Sequence, residues 1–122
     1  MRQQGSFAPP NSIFFIEDKT GGKSPELDDM SVRIWATQSC IIVGCLMSQD
    51  GPTEFILSDE SGDAVAGAPA FDGMLDTPSR VVEISTSERD ILLKSNVSGN
   101  LTRVRIWTDH PSEPEHIVVL LG

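Results

Sequence analysis

The groups best suited to chemistry in this 122-residue chain cluster near its end, in the run from Asp109 and His110 through Glu113 to Glu115 and His116. Two imidazoles and three carboxylates within eight residues offer nitrogen and oxygen ligands for a metal. Asp109, His110 and His116 would form the core of such a set. The same loop, residues 109–116, could line a pocket for a small ligand or for a metal-dependent reaction. The spacing matches no metal signature, however, and Pro111 and Pro114 stiffen the loop against wrapping around an ion. An acidic hairpin loop, with His116 leading into the last strand, accounts for the same residues without a metal.

Other routes to catalysis are weaker still. No serine sits in a GxSxG or SxxK context. Cys40 and Cys45 lie in the apolar run CIIVGCL, where a thiol is normally inert. Five residues of strand would hold their Cα atoms roughly 16 Å apart, on opposite faces. That is beyond the reach of a disulfide, so two free thiols are expected, as in a reducing compartment. The glycine-rich stretch GDAVAGAPAFDG lacks the lysine and hydroxyl of a phosphate loop. No cofactor is implied, and the expectation is a non-enzymatic protein.

The second arrangement of note is the tetrapeptide VRIW, present at Val32–Trp35 and again at Val104–Trp107, which carries both tryptophans of the chain. With a strand period of two, the Val and Ile of each copy share one face. Arg33 with Trp35, and Arg103 and Arg105 with Trp107, share the other. Arg and Trp are favoured at the centres of protein interfaces. Together with the acidic Glu113 and Glu115 they are the candidate partner-binding residues, most of all if the two strands are neighbours. Alternatively each Trp covers one end of the fold and the Arg stems lie over it. Beyond the tetrapeptide and the IIV or IVV that follows, nothing aligns, so an internal duplication is rejected.

These residues must be held by strands. Apolar residues come in short Val- and Ile-rich runs without a helical period. Strands are expected at 12–17, 31–37, 40–46, 53–59, 80–86, 90–95, 101–108 and 116–121. Ser87–Lys94 is the one alternative helical turn. The prediction is an all-β, single-domain antiparallel β-sandwich of about eight strands over residues 12–122. A flexible segment at 1–11 precedes it. Long loops are expected around GGKSPELDD and over the eighteen residues GDAVAGAPAFDGMLDTPS. HIVVLL, apolar on both faces, reads as a central strand.

Eighteen acidic residues oppose nine basic ones, a net charge of −9. Such a surface repels phosphate backbones and anionic lipid, so nucleic-acid and membrane partners are disfavoured and a basic protein is the natural partner. No apolar run approaches the ~20 residues that span a bilayer, and no secretory h-region opens the chain. A cytoplasmic location is expected.

The succession RVVEIST, DILLKS, VSGN, LTRVRIWTD, an acidic loop and EHIVVLL, over residues 78–122, resembles the end of a group of small bacterial β-sandwich proteins. That group is similar in size and layout to competence protein J, the nuclease-inhibitor family of competence operons. Leu101 and Ile117 stand where the group has aromatic residues. The resemblance implies a cytosolic inhibitor or immunity-type protein that binds a basic nuclease or toxin through acidic groups, and it assigns no individual site residue.

Overall fold

Ten strands in two five-stranded sheets make up the computed structural model, which describes residues 2–29, 31–45, 47–110 and 114–122. Sheet A contains, in spatial order, β1 (Arg2–Phe7), β5 (Thr53–Ser58), β10 (His116–Leu121), β9 (Leu101–Thr108) and β6 (Phe71–Asp76). Sheet B contains β3 (Ile34–Ala36), β4 (Cys40–Gly44), β2 (Ile13–Asp18), β7 (Val81–Thr86) and β8 (Ile91–Asn96). The protein is an all-β sandwich, with only single 3-10 turns besides the strands among the described residues.

Residue alternation builds the core. Phe14 and Ile16 of β2 point inward, while Phe15 and Glu17 point out. Phe14 packs on Phe55 of β5 across the two sheets, with ring centroids 4.5 Å apart. β10 is central and buried, as its two-sided apolar pattern requires. It pairs antiparallel with β9 but parallel with β5, a departure from the expected all-antiparallel ladder. The segment Ser87–Lys94 is strand from Ile91 onward, not helix.

Two strands were not foreseen. Residues 1–11 were expected to be flexible, yet β1 spans Arg2–Phe7 and pairs with β5 along its length. As an edge strand it needs only half-burial, which RQQGSF supplies without an apolar run. Phe7 anchors it by stacking on Phe55 at 5.8 Å. β6 arises from the supposed eighteen-residue loop. Phe71 and Leu75 face the core, and Gly73 between them conceals the alternation. The Phe71 ring occupies the space that a Gly73 side chain would need.

Two long connections cross the outer faces. Residues 19–29 and 31–33 belong to the connection from β2 to β3 over sheet B, and residues 59–70 lead from β5 to β6 over sheet A. Along one flank the sheets meet where the Gln3 side-chain amide of β1 donates to the Lys94 carbonyl of β8. Along the other, Asp76 N–H donates to Gln38 O at 2.8 Å and closes one end of the seam. At the opposite end of that seam the sheets part.

Candidate functional site

The two VRIW copies form the same local structure on opposite sides of the molecule. Trp35 lies on the outer face of sheet B and Trp107 on the outer face of sheet A. Each is buried under the crossing connection of its own sheet. Trp35 Nε1–H donates to Asp29 O at 3.0 Å, and Trp107 Nε1–H donates to Gly67 O at 3.2 Å. In each copy the Arg two residues earlier lies over the ring, with Cζ 5.8 Å from the centroid. The Nε of both arginines is buried without an acceptor. Both indoles are therefore covered, as Arg stems and loops over aromatic rings allow.

Beyond that shared core the copies diverge. Arg105 Nη2 donates to Gly122 O at 3.0 Å. Beside it, Arg103 makes a two-pronged pair with Asp72 of β6, Nε to Oδ1 at 2.9 Å and Nη2 to Oδ2 at 2.8 Å. The Arg103 hydrogen bonds, ahead of the charge of Arg105, hold the Asp72 carboxyl below its usual range. Arg33 has no such acceptor: among the described residues it makes no ion pair. Its guanidinium rests on Gly44 of β4, where any side chain would collide with it. The lone glycine in CIIVG marks this close approach.

The loop between β9 and β10 is organised by Asp109. Its Oδ1 accepts from the Glu115 N–H at 2.9 Å and the His116 N–H at 3.1 Å, and its Oδ2 lies 2.8 Å from His116 Nδ1. His116 Nε2 lies 3.4 Å from Glu54 Oε2. Glu54 Oε1 in turn accepts from the Gln4 side-chain amide at 2.8 Å. Hydrogen bonding to Asp109 raises the His116 pKa above its ordinary value, against slight desolvation and aided by the charges of Asp109, Glu54 and Glu115. Burial pushes Asp109 upward, but its hydrogen bonds to His116 and Glu115 outweigh this and lower it. Both imidazole nitrogens thus face carboxylates, an arrangement for a charged ring rather than for a metal ligand. His110 lines the open end of the seam. No group of three or more His, Cys, Asp or Glu among the described residues is arranged to hold a metal.

At that open end, residues of β3 and β4 face Ala70, Thr108, His110 and Pro114 across a cleft of about 310 Å³. The thiols offer no chemistry there. Both are free and buried. Burial, with the nearby Glu17 charge, pushes Cys40 up to about 12, and burial raises Cys45 as well.

Of the residues singled out from the sequence, Arg103, Arg105 and Trp107 share the outer face of sheet A, while Arg33 and Trp35 share that of sheet B. They do not meet on one surface. Glu115 is exposed beside Asp109, and Glu113 lies outside the described residues. Sequence reasoning missed Glu54, Asp72 and Gly44. The first two join their partners only through strand register, whereas Gly44 was legible as a glycine inside a strand. No helix among the described residues is long and apolar enough to cross a membrane.

No protein-family model matches the chain, and no curated protein matches it by sequence. A solved structure does share its fold. The chain is similar to the crystal structure of ComJ, inhibitor of the DNA degrading activity of NucA, from Bacillus subtilis, with a TM-score of 0.67 and 11% identity. The superposition covers 99% of this chain and 93% of that one. The resemblance carried by residues 78–122 therefore extends, as a fold, over nearly the whole protein.

Proposed function

We propose that this protein is a non-enzymatic binding module of the inhibitor or immunity type, acting in the cytoplasm on a basic nuclease or toxin. The observation that carries this reading is the fold shared with ComJ across almost the full length of both chains. The net charge of −9 supports it, because such a surface attracts a basic protein and repels that protein's nucleic-acid substrate from the complex. Acidic side chains are exposed at both ends of the sandwich, Asp50, Glu88, Asp90 and Glu115 at one and Asp59 and Glu60 at the other. Both tryptophans are covered, so contact would run through exposed Arg103, through Glu115 and Glu113, and through these acids. Arg105 and Trp107 would lie beside Arg103 on sheet A, and Arg33 and Trp35 on the opposite face would take no direct part in that contact.

The test is complex formation and inhibition against the product of the adjacent gene, repeated across a salt series. The expected result is a complex at low salt that weakens steeply as ionic strength rises, because exposed charges beyond the Debye length are screened. Absence of binding at low salt, or affinity indifferent to salt, would overturn the reading.

A further inference from the structure

The edges of the two sheets are not equally closed. β1 and β8 are tied together where the Gln3 side-chain amide donates to the Lys94 carbonyl, and β3 is only three residues long. β6 is six residues long and carries no Lys, Arg or Pro to blunt it. Residues of an antiparallel ladder alternate between bonding the neighbouring strand and turning away from it. Asp76 turns away from β9, since its N–H donates to Gln38 O at 2.8 Å. Met74 and Asp72 lie at the same phase of the alternation and turn away as well. Arg103, the cross-strand partner of Met74, agrees: its carbonyl accepts from the Gly122 N–H at 2.8 Å, on the far side of β9. Among the described residues nothing bonds the outward N–H and carbonyl groups of Asp72 and Met74. Both side chains are exposed, Met74 at 50%.

We propose that β6 is a dimerisation edge, pairing antiparallel with β6 of a second copy of this chain about a two-fold axis through Gly73. Asp72 then exchanges backbone hydrogen bonds with Met74 of the second copy, and Met74 with its Asp72. One patch on each chain thus satisfies the same patch on the other, as a two-fold interface requires. No carboxylate opposes another, because Asp72 faces Met74 of the second copy and its charge is already met by Arg103. The two Met74 side chains lie diagonally across the axis, within reach of each other, and leave water there. Gln38 closes the edge at Asp76, so the ladder is short and the dimer is of the weak class. Each copy carries a net charge of −9, and this repulsion opposes pairing until salt screens it. The dimer should therefore strengthen with salt, opposite to the complex proposed above. It does not depend on the inhibitor reading, because it is measured on the protein alone.

The experiment is sedimentation of the full chain from low micromolar to near-millimolar concentration at low and moderate salt, paired with heteronuclear NMR. The expected result is a monomer–dimer equilibrium favoured by salt, with concentration-dependent amide shifts largest at Asp72 and Met74. A mixed sample of labelled and unlabelled protein should show a contact between the Gly73 Hα atoms of the two copies. Met74→Pro removes an N–H that β9 does not use, a placement that an edge strand tolerates, and should leave only monomer. If that variant does not fold, the Gly73 contact in the parent protein decides. A single monomeric species at every concentration and salt would overturn the proposal and leave the edge to a strand of another protein. A dimer that salt weakens, a dimer without the Gly73 contact, or undiminished pairing by Met74→Pro would overturn it equally.

Discussion

His116 sits between two carboxylates, and its charge is set by them. With Asp109 at 2.8 Å and Glu54 at 3.4 Å, the protonated ring is favoured and its pKa rises in the folded state. A raised histidine pKa stabilises the fold fully below the unfolded value and loses that contribution as pH rises through the folded one. Asp109 works in the opposite sense: its lowered pKa contributes above the unfolded carboxylate value and is lost as pH falls through the folded one. The closed β9–β10 loop should therefore be tightest between those limits, at mildly acidic pH. An NMR titration of the His116 ring should give a pKa above 6.5, falling in Asp109→Asn. A ring that titrates at its ordinary value in both proteins would show that the ion pair does not persist in solution. Asp18 shows the same logic deeper in the fold. Burial alone would raise its pKa, yet donors from Thr20 and Ser79 keep it low and tie the end of β2 to the β6–β7 turn.

At the scale of elements, β1 is the strand whose removal is most informative. It shields the edge of β5 with a full antiparallel ladder, and Phe7 stacks on Phe55. Deleting residues 1–7 exposes the β5 edge and leaves one side of the Phe55 ring uncovered. The expected loss is about 2–4 kcal/mol in urea unfolding, from the lost aromatic packing and ladder bonds. A self-association tendency should follow from the bared edge. Unchanged stability would mean that β1 frays in solution, as its polar sequence suggests. That sequence also explains why β1 was illegible. Strand reading depends on apolar alternation, and Gln3, Gln4 and Gly5 supply none. Gly73 hid β6 in the same way, whereas runs such as IIVG and HIVVLL announced β4 and β10 plainly. The Arg–Trp faces of the VRIW strands were legible from the period of two. Their separation onto opposite sheets was not, because sheet membership depends on long-range pairing. Nor could Arg105 be matched to Gly122 O, or Arg103 to Asp72, without the β6–β9–β10 register.

For the whole molecule, the decisive element is β10, which comes last in sequence and lies at the centre of sheet A. It joins β5, reached parallel, to β9, reached antiparallel, and buries Ile117, Val119 and Leu121 in the main core. The chain between β5 and β10 includes two strands of sheet B, so the parallel pairing closes a long loop around most of the fold. Its loop-closure entropy must be met before the contacts form, which places folding in the slow regime of β-sandwiches, milliseconds to seconds. Without β10, sheet A falls into a β1–β5 pair and a β9–β6 pair with no ladder between them. Isolated two-stranded ladders are marginal in water even when a short turn joins them, and these are joined only through long stretches of chain. Sheet B would face a divided partner and lose its packing. A chain truncated before residue 116 should therefore give a collapsed amide spectrum and no cooperative urea transition. A synthetic peptide of residues 116–122 added in excess should restore dispersion by occupying the vacant slot. If the truncated chain instead unfolds cooperatively with near-native dispersion, sheet B folds as an independent unit, and the two sheets are not the single cooperative structure that their shared core implies.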